Sequence, residues 1–121
     1  MTQNPKVHGI KRLWNALHYS AQGFRATYHN EEAFRQECWA TVILVPAALV
    51  LSDSGIEAAL LISSIVFVMV VELLNTGIEA AVDRVDFEQH TLSGRAKDAG
   101  SAAVLLSLFL AFMTWLLVLL F

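Results

Sequence analysis

Five polar residues interrupt or directly follow a long apolar stretch of the sequence, and they share one helical face. The stretch runs from about Ile56 to Val82, and its polar members are Glu72, Asn75, Thr76, Glu79 and Asp83. At 100° per helical residue, all five point within about 50° of one direction. Carboxylates and amides arranged in this way can move protons or bind cations, and ionisable groups within a span usually have such a use.

Glu72 is the deepest of these polar residues. Counting ~1.5 Å per residue from the outer end near Ile56 puts it roughly 24 Å in, close to the inner edge of the hydrocarbon. A poorly solvated glutamate at that depth suits a general base for a lipid hydroxyl, because acyl chains would hold the hydroxyl at the same level. The structural alternative is a protonated Glu72 that hydrogen-bonds between helices, together with Asn75.

Further charged residues gather at the same end of the predicted spans. They are Glu31, Glu32, Glu37, Asp86, Glu88, Arg95, Lys97 and Asp98. Mg²⁺ is typically held by one or two carboxylates plus substrate phosphates, and a helix start capped by Ser93 favours anions. A magnesium-phosphate site and an ordinary basic anchor with a capped helix both fit this spacing. Walker A, GxGxxG and HRD sequences are absent, so phosphoryl transfer would need another kind of site.

The composition indicates a membrane protein, because 56% of the 121 residues are apolar and only 16% are charged. A hydrocarbon layer of roughly 30 Å needs about 20 helical residues, which predicts spans at about 33–51, 56–82 and 96–120. All eight Lys and Arg residues lie on one side of the proposed membrane: before the first span or in its polar first turn, or flanking the loop between the second and third spans. The positive-inside rule therefore predicts a cytoplasmic N-terminus and places the C-terminus on the opposite, outer side of the membrane.

An amphipathic surface helix is predicted at about 6–28, before the first span. Its apolar members recur at spacings of three and four: Ile10, Leu13, Trp14, Leu17, Ala21, Phe24 and Tyr28. Basic residues off that stripe suit a helix lying against anionic lipid headgroups, and a helix packed against protein is the alternative. Three spans cannot enclose the polar face, so we expect a homo-oligomer.

Two functions from other classes fit part of this pattern. A small proton-coupled multidrug exporter would use one membrane-embedded glutamate, but it needs neither the many carboxylates at the cytoplasmic edge nor the basic helix start. A structural membrane subunit would use the polar face only for association.

Three blocks of the sequence closely resemble the prokaryotic integral-membrane diacylglycerol kinase family: EAFRQE (32–37), LLISSIVFVMVVELLNTGIEAAVDR (60–84) and HTLSGRAKDAGSAAVL (90–105). The resemblance covers 1–121 as one kinase domain. It implies an all-α homotrimeric bundle in the bacterial inner membrane, with three transmembrane helices and a surface helix. The implied reaction belongs to phospholipid metabolism: Mg²⁺- and ATP-dependent phosphorylation of diacylglycerol to phosphatidic acid, at composite sites between subunits and with no nucleic-acid partner. Undecaprenol, the acceptor of related kinases in the family, is the alternative lipid.

The resemblance also implies roles for individual residues. Glu72 is expected to be the catalytic base for the lipid hydroxyl, and Glu31 and Glu79 are expected to bind magnesium. ATP contacts are expected at Arg12, Tyr19, Glu31, Glu79, Glu88, Gln89, His90, Lys97 and Asp98. Lipid contacts are expected at Arg12, Ser20, Arg25, Ala33, Phe34, Arg35, Gln36, Glu37, Glu72 and Ser101. Asn75 and Asp83 match supporting polar positions on the second transmembrane helix.

Overall fold

The computed structural model describes residues 8–85 and 91–121, which form four α-helices. They are α1 (Ile10–Asn30), α2 (Glu32–Leu51), α3 (Gly55–Val85) and α4 (Thr91–Leu120). The last three are long and apolar enough to cross a membrane. The predicted all-α architecture with three spanning helices is therefore confirmed. The predicted start of the surface helix, at about residue 6, lies outside the described residues.

α3 and α4 are longer than a bilayer requires. They contain 31 and 30 residues, which is about 45 Å of helix, against roughly 30 Å of hydrocarbon. The excess of about 15 Å, or about three turns of each helix, can therefore lie in the headgroup region or in water. At the end of α3 that carries Glu79 and Asp83, this extra length can bring carboxylates out of the hydrocarbon.

Two short connections determine how the helices follow one another. α1 and α2 are separated by Glu31 alone, whose extended backbone lets its N–H donate to the Thr27 carbonyl. Between α2 and α3, the Ser54 hydroxyl accepts a hydrogen bond from the Glu57 N–H, and the Glu57 carboxylate accepts one from the Asp53 N–H. This reciprocal arrangement resembles a capping box and stabilises the start of α3.

The buried core lies mainly along α3, which packs between α2 and α4. Leu61, Ile65 and Val68 on α3 are buried. The Trp115 indole on α4 donates a hydrogen bond of 3.3 Å to the Leu61 carbonyl. This bond satisfies a polar group within the predicted spans and holds α4 antiparallel to α3.

The outward faces of the helices are apolar. Val42 and Ile43 on α2 and Leu105 and Phe112 on α4 are all at least 63% exposed. Ile10, Leu13 and Trp14 on α1 are also exposed. Such an extent of apolar surface is typical of a chain surrounded by lipid or by further subunits.

Candidate active site along the third helix

A cleft with a volume of about 320 Å³ lies between the last turns of α1 and the last turns of α3. On one side it is lined by Ala26, Thr27 and Asn30 of α1 and by Glu31, the joint between α1 and α2. On the other side it is lined by Thr76, Glu79, Ala80 and Asp83 of α3. Both sets follow the three- and four-residue spacing that places side chains on one helical face. The cleft therefore gathers three carboxylates, one from the connection after α1 and two from α3.

An amide on α3 supports one of these carboxylates. The Asn75 Nδ2 donates a hydrogen bond of 3.3 Å to Glu79 Oε1. In the part of the chain that the structure describes, the Asn75 Oδ1 is buried and has no hydrogen-bond partner. The carboxamide thus restrains Glu79 from one side and faces α4 with the other.

α4 brings a cation to the rim of the cleft. Lys97 Nζ lies 2.5 Å from Asp83 Oδ1, with 44% of the lysine side chain and 59% of the aspartate side chain exposed. An exposed ion pair contributes only about 0–1 kcal/mol, so a competing anion can take over the lysine at little cost. Lys97 therefore places an exposed positive charge beside the cleft carboxylates.

Glu72 has a different environment from the cleft carboxylates. It is only 9% exposed and lies two helical turns before Glu79. Its carboxyl lies beside the Glu37 carboxyl on α2. The Glu37 Oε2 is buried and has no hydrogen-bond partner among the described residues. Two carboxyl groups from neighbouring helices thus meet beneath the cleft, in an apolar part of the molecule.

Comparison with known proteins identifies the family. The sequence model of prokaryotic diacylglycerol kinase matches residues 18–119. The chain belongs to the prokaryotic diacylglycerol kinase family. The diacylglycerol kinase of Escherichia coli is 50% identical over 111 residues, which cover 92% of this chain and 91% of that protein. The diacylglycerol kinase of Haemophilus influenzae is 46% identical over 110 residues, which cover 91% of this chain and 93% of that protein.

A third relative, the diacylglycerol kinase of Pseudomonas aeruginosa, is 47% identical over 112 residues, covering 93% of this chain and 91% of that protein. The predicted family is therefore confirmed. Membership also agrees with the three spanning helices, and this chain is an integral-membrane member of a kinase family. ATP is the phosphoryl donor that the family implies.

In this member of the diacylglycerol kinase family, the carboxylates of the cleft are the candidate ligands for magnesium. Glu31 and Glu79, the predicted metal ligands, line the same cleft together with Asp83. No group of three or more His, Cys, Asp or Glu side chains converges on one point within the described ranges. A pair of carboxylates without a complete cage fits Mg²⁺, which usually retains waters and takes further ligands from substrate phosphates.

The residues with predicted lipid contacts fall into two groups: some pack near the connection between α1 and α2, and others lie on exposed helix faces. Phe34 is fully buried and packs edge-on against Phe24, with ring centroids 5.1 Å apart. The Arg35 Nη1 donates to the carbonyls of Tyr28 and His29, at 3.0 and 2.8 Å, and so caps the end of α1. The others, apart from Glu37 and Glu72, are exposed: Arg12, Ser20, Arg25, Ala33, Gln36 and Ser101.

The predicted nucleotide contacts are not gathered at one place in this single chain. The cleft is lined by Glu31 and Glu79, and Lys97 reaches it through its ion pair with Asp83. The lining does not include Arg12 or Tyr19. Asp98 is exposed on α4. Three further predicted contacts, Glu88, Gln89 and His90, lie outside the described residues.

Sequence reasoning assigned no role to two residues in the wall of the cleft. Thr27 is buried and its hydroxyl donates to the Gly23 carbonyl, and the Asn30 Nδ2 donates to the Ala26 carbonyl. Thr27 lies four residues before Glu31, one helical turn away, which was a usable signal, whereas Asn30 lies three residues after Thr27 on the same face of α1. The sequence pattern does not indicate which face of α1 packs against α3.

Proposed function

We propose that this chain transfers the γ-phosphoryl group of ATP to the free hydroxyl of diacylglycerol, producing phosphatidic acid and ADP. The new bond joins the lipid oxygen to the γ-phosphorus, and the bond that breaks joins that phosphorus to the β–γ bridging oxygen. The observation that carries this proposal is membership of the family together with a buried glutamate below a carboxylate-lined cleft on one helical face.

Glu72 is the general base in this proposal. Its burial supports the role, because a base shielded from bulk water can meet a hydroxyl that is anchored by acyl chains. Glu72 accepts the hydroxyl proton as the lipid oxygen attacks. A carboxyl group in this position needs no covalent chemistry of its own, since phosphoryl transfer depends mainly on positioning and charge neutralisation.

The cleft binds the metal-nucleotide in this proposal, with Glu31 and Glu79 as magnesium ligands. When bound, Mg²⁺ neutralises charge on the β- and γ-phosphates and aligns them. Asn75 restrains Glu79, and Asp83 holds Lys97 at the rim until phosphate arrives. Further ATP contacts are proposed at Arg12, Tyr19, Asp98 and the 88–90 segment.

The proposed assembly is a homotrimer in the bacterial inner membrane, with composite sites between subunits. The exposed apolar faces of α2 and α4 support association, because three spans of one chain leave much of their surface uncovered. α1 is proposed to lie on the membrane as an amphipathic helix, since Ile10, Leu13 and Trp14 project from it without covering. The basic residues support a cytoplasmic N-terminus and a periplasmic C-terminus.

Diacylglycerol is the proposed acceptor, and the named relatives from three organisms support it over undecaprenol. The test is to offer both lipids in one mixed-micelle assay with radiolabelled Mg-ATP. We expect label in phosphatidic acid and far less in undecaprenyl phosphate. Preferential labelling of undecaprenol would reassign the acceptor, and label that stays entirely in ATP would refute the kinase proposal.

A further inference from the structure

Gly100 differs from the other glycines in what surrounds it. It is buried on α4, and a Cβ built on it would lie 3.2 Å from the Asn75 Cγ and far inside van der Waals contact with the Asn75 Oδ1. A Cβ built on any of the other five glycines, all of which lie in the described part of the chain, would meet nothing within 4 Å. A side chain at position 100 therefore requires either the Asn75 carboxamide or α4 to move.

This contact determines which way the Asn75 carboxamide points. The Gly100 Cα hydrogen that stands where a Cβ would be is directed at the Asn75 Oδ1. Because that oxygen lies against C–H, the Nδ2 faces Glu79 and donates to its carboxylate. The reversed amide would set its oxygen against the Glu79 carboxylate, which can only accept hydrogen bonds.

The same stretch of α4 carries Lys97, three residues before Gly100 and paired with Asp83. A methyl group at position 100 has two ways to be accommodated. Either Asn75 rotates away from Glu79, or α4 moves outward and takes Lys97 away from Asp83. Both responses alter the walls of the cleft without touching any of its lining side chains directly.

We propose that Gly100 is a positioning residue for the metal-nucleotide cleft, acting through the Asn75 amide to hold Glu79. The inference rests on the proposed function for the role of the cleft, while the Gly100–Asn75 contact stands on the packing alone. Gly100 touches no substrate in this account. Its contribution is the absence of a Cβ, which gives the Asn75 oxygen the space it occupies against α4 while the Nδ2 donates to Glu79.

The test compares Gly100→Ala with Gly94→Ala, a matched change on the same helix at a site with open space around it. We expect Gly100→Ala to lower kcat/KM for Mg-ATP by roughly 10- to 100-fold, the range that small misplacements of a binding group cause. The KM for diacylglycerol and the activity of Gly94→Ala should not change. Equal effects of the two substitutions, or an effect confined to the lipid KM, would overturn the proposal.

A double-mutant cycle shows whether Gly100 acts through Asn75. Asn75→Ala removes the amide and with it the clash, so adding Gly100→Ala to this variant should cause no further loss. A full additional loss would overturn the proposal. Should Gly100→Ala alone fail to fold, recovery of folded protein in the Asn75→Ala background supports the contact, and failure to recover refutes it.

A readout independent of turnover separates this inference from the proposed function. The nitrogen-15 signal of the Asn75 side-chain amide, assigned with Asn75→Ala, should shift in Gly100→Ala and stay in place in Gly94→Ala. An unmoved signal overturns the inference. A second outcome is that the signal moves but the Glu79→Ala variant has the same magnesium dependence as the wild type. In that case the cleft does not bind magnesium, and the Gly100–Asn75 contact still stands.

Discussion

Glu72 and Glu79 share a face of α3 but have different surroundings. Glu72 is buried against α2, where its carboxyl meets that of Glu37, whereas Glu79 opens into the cleft beside Glu31. The first environment suits a group that meets a hydroxyl carried by acyl chains. The second suits a group that meets Mg²⁺ and phosphate arriving from water. Removing the two side chains should therefore impair different steps.

At the residue scale, we predict that Glu79→Ala and Glu31→Ala each raise the magnesium concentration needed for half-maximal rate. Each substitution removes a hard oxygen donor from a cleft that has few of them. We expect a shift of about tenfold or more, in line with about 1.4 kcal/mol for one lost charged contact. The measurement is a magnesium titration of initial rates at saturating ATP and lipid.

The matched control for this titration is Glu32→Ala. Glu32 adjoins Glu31 in sequence but is exposed and does not line the cleft. Its magnesium dependence should match that of the wild type. A shift of the same size in Glu32→Ala would point to general surface charge as the cause and would remove Glu31 as a ligand.

At the scale of elements, the joint between α1 and α2 depends on Arg35. Its guanidinium donates to the carbonyls of Tyr28 and His29, the last groups of α1 without partners in their own helix. The joint also carries Glu31 and so sets one wall of the cleft. Arg35 thus has a structural use on α1, whether or not it also meets lipid.

We predict that Arg35→Ala loosens the last turn of α1. Losing the cap should cost about 1 kcal/mol, which corresponds to roughly fivefold faster amide exchange in residues 24–31. Hydrogen exchange monitored by mass spectrometry measures this directly. The control is Arg25→Ala: Arg25 is an exposed arginine on α1 itself, and its removal should leave exchange unchanged. Unchanged exchange in Arg35→Ala, with only a raised KM for lipid, would contradict the capping role.

At the scale of the whole molecule, the exposed apolar surface requires a partner or lipid on every side of the bundle. We predict that native mass spectrometry of the detergent-solubilised protein gives three times the 13.4 kDa mass of one chain. The trimer should persist in Glu72→Gln, because the polar face would remain hydrogen-bonded. An active species with the mass of one chain would contradict composite sites between subunits.

The helices and the shared polar face of α3 can be predicted from the local sequence pattern. Three apolar blocks predict three spanning helices, and 100° spacing places Glu72, Asn75 and Glu79 on one face, because both depend only on helical geometry and solvent preference. The contact between Gly100 and Asn75 could not be predicted in the same way. It depends on how far α4 slides along α3, which many side chains decide together.

The joint at Glu31 illustrates the same limit. The sequence predicts a surface helix that ends at about residue 28 and a span that begins at about residue 33. The capping role of Arg35 and the burial of Thr27, however, depend on the angle between α1 and α2. That angle also determines that Asn30 and Thr27 face α3 across the cleft. Pattern identifies candidate side chains, and packing decides which of them meet.

The most direct test of the proposed reaction is transfer of radiolabel from Mg-ATP to diacylglycerol by the wild type, by Glu72→Gln and by Glu57→Gln. Glu57 is a glutamate on the same helix, and its hydrogen bond to the Asp53 N–H can be kept by a glutamine oxygen. We predict labelled phosphatidic acid from the wild type and from Glu57→Gln, and a loss of roughly 100-fold or more in Glu72→Gln with assembly intact. Near wild-type transfer by a folded Glu72→Gln enzyme would contradict the account.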